Sequence, residues 1–190
     1  MLKKKTNFLL VCDRDGTLIV NDNYLGRNES WKDELILNVS VVNFLSFMNT
    51  EYQPVIIVAS NQLGVARKYF SEERVQDINA EISLRLGKQG FIAPLIWEYC
   101  PDVDEAYAQA HSEVSWDQKY VKLETKRKPS LKMVADALLK INKSISDFGK
   151  ILVLGNSKDD QGLANSLGGQ YINVTGKTYD SLVSQFNQCM

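Results

Sequence analysis

Apolar positions along the chain fall into two alternating periods. Phe8-Leu-Leu-Val-Cys12 is an unbroken apolar run that stops at a polar loop, the pattern of a strand buried on both faces. Pro54-Val-Ile-Ile-Val-Ala59 repeats the pattern with β-branched residues, and Ile151-Leu-Val-Leu154 repeats it again before Gly155. Phe91 to Tyr99 contains a further strand interrupted by Pro94, which places it near a sheet edge because proline cannot donate to a ladder. Tyr171 to Val174 reads as a fifth. Between these runs the period lengthens to that of a helix. Ser40 stands before Val41, Val42, Phe44, Leu45 and Met48, and Ser71-Glu-Glu before Val75, Ile78, Ile82 and Leu86, with Gly90 beyond. Ser130 precedes a stripe of Leu131, Val134, Leu138 and Ile141. Residues 159–167 form a short helical pattern stopped by Gly168-Gly169, and a last helix begins near Asp180. Strand and helix in alternation predict an α/β fold: a doubly wound, mostly parallel five-stranded sheet in one domain spanning 1–190.

Residues 100–129 break the pattern. They mix acidic, aromatic and basic residues without a period, and a segment of that length between elements is either functional or disordered. The reading adopted is an excursion over the carboxyl edge of the sheet.

Composition narrows the function. The 190 residues carry 22 Lys and Arg against 23 Asp and Glu, a net charge of −1 that argues against a protein built to grip nucleic acid or an anionic membrane. Basic clusters at Lys3 to Lys5 and Lys126 to Lys128 remain, the first read as solvated surface. Trp31, Trp97 and Trp116 show no stacking pattern for nucleic acid. His111 is the only histidine, which excludes a His-pair metalloprotease, and no Gly-x-Ser-x-Gly elbow accompanies it. Acid–base chemistry therefore falls to carboxylates. Cys12, Cys100 and Cys189 are odd in number and widely spaced, which fits a reducing cytoplasm and not a disulfide scaffold. The apolar run after Lys5 is too short for a signal peptide, and no stretch approaches membrane-spanning length.

In a doubly wound sheet ligands bind beyond the carboxyl ends of the strands. The residues there are Asp13-Arg-Asp15-Gly-Thr17, Ser60-Asn61-Gln62 and Gly155-Asn-Ser-Lys-Asp-Asp160, joined by Lys126-Arg-Lys-Pro129 before the third helix. Carboxylates, a hydroxyl, amides and a lysine on one edge suit phosphoryl transfer. Paired carboxylates repel unless a divalent cation intervenes, and Mg²⁺ commonly bridges carboxylate to phosphate. A hydroxyl, an amide and a lysine can hold the remaining phosphate oxygens. A carboxylate can itself be the nucleophile, and Gly16 eases the turn that brings a second carboxyl to the leaving oxygen. An EF-hand reading of the same run fails, because its sixth position is Leu18 where glycine is needed.

With these residues in order, the chain resembles the haloacid dehalogenase (HAD) superfamily of phosphatases. It is most similar to their capless branch, which contains heptose bisphosphate and histidinol phosphatases. The resemblance rests on DRDGT from Asp13, SNQLGVARKYFSEE from Ser60, EYCP from Glu98 and RKP from Arg127, spread over positions 13–160. It implies a sheet of strand order 5-4-1-2-3, no cap domain, Asp13 as nucleophile and Asp15 as general acid and then base. It implies Ser60 and Lys128 on the phosphoryl group, Asn61 and Arg127 on the substrate, and Mg²⁺ held by Asp13 and Asp15, with Asn156 and Asp160 as the fourth-motif ligands. Asn156 stands where relatives carry an acid, which implies weaker metal binding, with Asp159 a candidate to compensate. Relatives also hold a structural zinc near EYCP. Here Cys100 alone remains, with Asp102, Val103, Glu124 and Thr125 at the other positions, so no zinc is expected.

The function expected from this resemblance is a cytoplasmic, Mg²⁺-dependent phosphomonoesterase acting on a sugar phosphate or bisphosphate. A polynucleotide 3′-phosphatase and a catalytically weak phosphate-binding relative are the alternatives, and an oligomer is left open. A receiver module would instead place its phosphorylated Asp after the third strand, where Cys100-Pro101 stands.

Overall fold

The computed structural model describes residues 7–21 and 24–189; the Lys3 to Lys5 cluster lies outside them. In chain order the main elements begin with β1 (Phe8–Cys12), α1 (Trp31–Glu34), α2 (Val39–Tyr52), β2 (Val55–Asn61), α3 (Leu63–Ala66), α4 (Glu72–Lys88) and β3 (Leu95–Cys100). Then come β4 (Val103–Asp104), α5 (Glu105–Ala110), β5 (Val121–Lys122), α6 (Lys132–Leu139), β6 (Lys150–Gly155), α7 (Lys158–Ser166), β7 (Gln170–Asn173) and α8 (Tyr179–Cys189). Five strands form one parallel sheet in the order β3-β2-β1-β6-β7, the expected 5-4-1-2-3 order with the two later additions β4 and β5 left aside.

Because strand side chains alternate, each strand feeds both faces of the sheet. Phe8, Leu10 and Cys12 of β1, with Ile56 and Val58 of β2, face a core completed by α2, α4 and α8. Leu9, Val11, Ile57 and Ala59 face the opposite layer, filled by Met133, Val134, Ala137 and Leu138 of α6 and Leu163 and Ala164 of α7. Burial on both sides is why these strands read as continuous apolar runs. β3 is an edge strand as expected, but it starts at Leu95, so Pro94 stands just before it and does not interrupt it.

Several element starts differ from expectation. Helix α2 begins two residues earlier, with the Asn38 side chain and not Ser40 accepting from the backbone N–H of Val41. Ser71 caps α4 by accepting from Arg74 N–H. Ser130 accepts from Lys132 N–H, but the helix opens later than expected. Leu131 and Ile141 fall outside it, partly exposed, and the buried stripe is Met133, Val134, Ala137 and Leu138.

The aperiodic segment after β3 is ordered. Strands β4 and β5 pair in parallel, Val103 with Val121 and Asp104 with Lys122, and α5 lies between them in sequence. Trp116, Val103 and Ala108 pack with Leu63 and Ala66 of α3 into a core separate from the two main ones. Trp116 donates its indole N–H to the His111 carbonyl at 3.0 Å, and Asp117 N–H bonds the Ala66 carbonyl at 2.8 Å. His111 stacks on Tyr107 with centroids 4.1 Å apart. Glu72 of α4 anchors the far side, accepting from the hydroxyls of Tyr120 (2.7 Å) and Tyr99 (3.1 Å). Such short strands and a small core give no period long enough to read.

Two outcomes follow for this insert. Truncating a buried aromatic costs about 3–5 kcal/mol, so Trp116→Ala should raise amide exchange over residues 103–122 by about a hundredfold or more, while β1 and β6 stay protected. A uniform loss of protection would mean that insert and sheet open together. The second outcome concerns pH. Hydrogen bonds led by that from Tyr120 hold the Glu72 carboxyl below its ordinary 4.5. A lowered carboxylate stabilises fully above its unfolded value and loses that contribution as pH falls through its folded value. Exchange over the insert should therefore rise in acid below about pH 4.5, and Glu72→Gln should flatten that dependence.

Candidate active site

All five parallel strands end on one edge, and β1 ends in its middle, flanked by β2 and β6. Asp13 follows β1 directly, and its N–H continues the ladder to the Leu154 carbonyl at 2.9 Å. The next turn carries Asp15 and then Gly16, whose φ of 72° lies in the region glycine alone enters freely. Ser60 and Asn61 end β2, Gly155 ends β6, and Lys128 arrives from the loop before α6.

Lys128 is the hub. Its ammonium, 3% exposed, donates to Asp13 Oδ1 (2.5 Å), Asp160 Oδ1 (2.7 Å) and the Ala59 carbonyl (2.8 Å). These three bonds use all its donors. Burial alone would lower the lysine, but the charges of Asp13 and Asp160 reverse that and raise it. Burial pushes the Asp13 carboxyl up to about 6, with Asp160 and Asp15 adding to the rise and Lys128 opposing it. Two buried carboxylates thus share one ammonium, and the cluster has room for further positive charge.

Asp160 reaches Lys128 because Gly155 lets it approach: a Cβ on Gly155 would lie 2.3 Å from that of Asp160. Its other oxygen accepts from Ser157 N–H (3.0 Å), Asn156 N–H (3.2 Å) and the Ser157 hydroxyl (2.6 Å), completing a capping box on α7. Both Asp160 oxygens are thus engaged, one by Lys128 and the other in the cap of α7, at the position the sequence reading expects to help hold a metal. The Asn156 side chain, by contrast, makes no hydrogen bond within the described residues. Among those residues no three His, Cys, Asp or Glu side chains group to hold a metal. The expected set of Asp13, Asp15, Asn156 and Asp160 uses two carboxylate side chains beside the Asp15 backbone carbonyl and an amide, so it does not ask for such a trio.

Asp15 is clasped by a different set. Arg14 Nε and Nη2 pair with its two oxygens at 3.0 and 3.1 Å, the Ser60 hydroxyl donates at 2.9 Å and Gln62 Nε2 at 2.6 Å. Asn61 is turned toward the loop: its carbonyl oxygen accepts from Lys128 N–H at 2.9 Å and its amide donates to Asp159 at 3.2 Å. Arg127 Nη2 lies 3.5 Å from Asp159, while its Nη1 is buried without a partner. Asp15, Tyr24, Asn61, Gln62 and Arg127 line a cleft of about 180 Å³, small beside the roughly 300–1,000 Å³ of sites that enclose a ligand. A larger hollow of about 440 Å³ lies in the insert beside Glu105, Gln109 and Trp116, and none of the expected site residues lines it.

The structure therefore brings all eight sequence-derived positions, Asp13, Asp15, Ser60, Asn61, Arg127, Lys128, Asn156 and Asp160, to one edge. Sequence reading missed Arg14, Gln62 and Asn79 as members of the network. Gln62 carried a signal in its position after β2; Arg14 and Asn79, 65 residues apart, carried none.

The arrangement makes a strong demand on Lys128. Lys128→Met should cost about 3–5 kcal/mol in denaturant unfolding, the scale for leaving buried charges uncompensated. Adding Asp160→Asn should recover part of it by removing one of the two repelling carboxylates. A loss under about 1 kcal/mol, the scale of an exposed pair, would contradict the buried bridge.

No family model matches the chain. It is 28% identical over 176 residues to D-glycero-beta-D-manno-heptose-1,7-bisphosphate 7-phosphatase of Rhodopseudomonas palustris, covering 91% of this chain and 86% of that protein. Among solved structures, a Mesorhizobium loti protein described as a HAD-like phosphatase superposes with a TM-score of 0.70 at 21% identity, over 92% of this chain and 75% of that one. D,D-heptose 1,7-bisphosphate phosphatase from B. bronchiseptica, solved with magnesium and phosphate, gives 0.64 at 16% identity over 95% and 98%. These proteins are phosphatases, and the resemblance carried by the ordered motifs extends over nearly the whole chain, in sequence to a heptose bisphosphate phosphatase and in fold to the HAD-like phosphatases.

Proposed function

We propose that the chain is a Mg²⁺-dependent phosphomonoesterase acting on a small phosphorylated metabolite, a sugar phosphate or bisphosphate such as a heptose bisphosphate, through an aspartyl-phosphate on Asp13. The observation that carries this reading is the junction at the end of β1. Asp13 is held by the Lys128 ammonium at 2.5 Å, and Asp15, two residues on, lies within 2.9 Å of the Ser60 hydroxyl.

An Asp13 oxygen attacks phosphorus, forming an O–P bond as the bond to the leaving alkoxide breaks. Asp15 gives its proton to that oxygen, releasing the alcohol. Asp15 then takes a proton from water, the water oxygen attacks phosphorus, and the bond to Asp13 breaks to give inorganic phosphate and the original carboxylate. Lys128 and Ser60 hold phosphoryl oxygens as charge redistributes. Arg127 and Asn61, which both line the cleft, contact the substrate. Asp160 serves by fixing Lys128. Mg²⁺ would supply positive charge that offsets the Asp13 carboxylate and the phosphate dianion, and the residues that would hold it are Asp13, Asp15 through its carbonyl, Asn156 and Asp160. The net-negative Asp13–Lys128–Asp160 cluster and the unbonded Asn156 side chain fit such an ion.

The site is open. Between β1 and α2 only the four-residue α1 and loops are described, and the insert after β3 is a few turns with its own small core, so neither supplies a cap. Specificity then rests on loops or on a neighbouring subunit. No described helix is long and apolar enough to cross a membrane, and free Cys12, Cys100 and Cys189 suit a reducing cytoplasm.

Phosphate release from a panel of sugar phosphates, a sugar bisphosphate and a 3′-phosphorylated oligonucleotide tests the reading; turnover of the oligonucleotide alone would favour a polynucleotide phosphatase. Asp13→Asn should abolish turnover with the fold intact. Asp15→Asn should slow it by about 10²–10⁴, most for poor leaving groups, which need the proton. Wild-type kcat in either variant would overturn these roles. Activity should vanish with EDTA and return with Mg²⁺. Asn156→Asp should lower the Mg²⁺ concentration at half-maximal activity, by about 1–3 kcal/mol in affinity for one added charge at a partly desolvated site. An unchanged value would mean that Asn156 is not a ligand and that Asp159 or Asp160 carries the role.

A further inference from the structure

Arg14 is the largest side chain buried to within 2% exposure, although it sits between two active-site carboxylates in sequence. A buried guanidinium is retained only where its donors are met. Here Nε and Nη2 form a two-pronged pair with Asp15, and Nη1 donates to Asn79 Oδ1 at 2.9 Å. Asn79 is 8% exposed on α4, among Val75, Ile78 and Ile82, which are fully buried. A polar residue in that apolar stripe has one side-chain partner, the guanidinium.

We infer that Arg14 and Asn79 are positioning residues: Asn79, through Arg14, sets the orientation of the Asp15 carboxyl toward the leaving oxygen. The inference rests on the proposed role of Asp15. Its physical basis is a division among the four donors on that carboxylate. Gln62 lines the cleft, and in the proposed reading the Ser60 hydroxyl turns to a phosphoryl oxygen when substrate binds. Arg14 approaches from the body of the protein and has no phosphate to turn to. It is the one donor group that engages both Asp15 oxygens, and a fork-on-carboxylate pair fixes direction as well as distance. Asn79 fixes the fork in turn, since without its acceptor Nη1 is left unmet and the guanidinium can rotate about its stem. Lysine in place of Arg14 would keep the charge and lose the fork.

The test separates orientation of a proton donor from general damage. For kcat/KM, which reports steps through departure of the leaving group, p-nitrophenyl phosphate needs no proton donor, whereas an alkyl phosphate such as glycerol phosphate does. Asn79→Leu, similar in shape but without an acceptor, and Arg14→Lys should each lower kcat/KM on the alkyl ester by about 10- to 100-fold, part of what a general acid contributes. On the aryl ester the change should stay within about threefold on the same grounds. Asn79→Asp, which restores an acceptor for Nη1, should bring the alkyl-to-aryl ratio back toward wild type. Equal losses on both esters, or no loss on either, would overturn the positioning role while leaving the phosphatase reading in place. If both Asn79→Leu and Arg14→Lys fail to fold, the network is structural and the inference falls. A wild-type chain inert toward both esters fails at the earlier step, and the positioning role goes with it.

Discussion

A single ammonium group ties the sheet edge together. Lys128 lies 115 residues from Asp13 and 32 from Asp160 in sequence, yet it touches both, and also the backbone of Ala59. Its three donors thus join the ends of β1 and β2 to the start of α7. Two carboxylates could not be buried at the end of a central strand without it, because the charge repulsion and lost hydration would expel one of them. The strand order makes the contact possible: with β1 between β2 and β6, their three end loops are neighbours. Around that contact other choices become necessary. Gly155 has no side chain so that Asp160 can approach, and Asn61 grips the backbone N–H of Lys128 so that the loop delivers the ammonium in register.

Where the sequence was legible, it was because a physical requirement left a periodic trace. Strands buried on both faces must be apolar throughout, and β1, β2 and β6 could be read for that reason. Helix α4 must bury one stripe, and its Ser71 must satisfy an open N–H. The site residues were legible because the carboxyl ends of parallel strands are where ligands meet such a sheet. Contacts between distant positions left no such trace. Nothing in the spacing of Arg14 and Asn79 says that one will bond the other, and nothing in the spacing of Asp160 says that one of its oxygens will hold Lys128 while the other caps α7. The start of α2 shifted because Asn38 and Ser40 are both competent caps, and pattern alone cannot choose between them.

The insert shows how a short segment is ordered without period or disulfide. Its strands are two residues each, too short to be stable alone. It borrows Leu63 and Ala66 from α3 for its core and Glu72 from α4 for its hydrogen bonds. Both helices follow β2, so the segment that carries Ser60, Asn61 and Gln62 is braced on its outer side by the insert. Gln62 is fixed there by donating its N–H to the Cys100 carbonyl at 2.8 Å, the last residue of β3, while its side chain reaches Asp15. Order in the insert is thereby coupled to the geometry of the site.

Asp13 and Asp15 are chemically identical and two residues apart, and they are distinguished entirely by what surrounds them. Asp13 is 7% exposed and faces a lysine delivered from far along the chain, with a second buried carboxylate behind it. Among the described residues the lysine engages its Oδ1 and no hydrogen bond reaches its Oδ2, the asymmetry that the proposed nucleophile needs. Asp15 is gripped by its own sequence neighbour and by donors from β2 and the residue after it, on both oxygens. Each acid thus has its own buried cation, and the two cations do not share partners. In the proposed reading that separation lets one turn of chain carry an attacking carboxylate and a proton-donating carboxyl, each held by a cation of its own, even though the charge of Asp15 still adds to the rise of the Asp13 carboxyl.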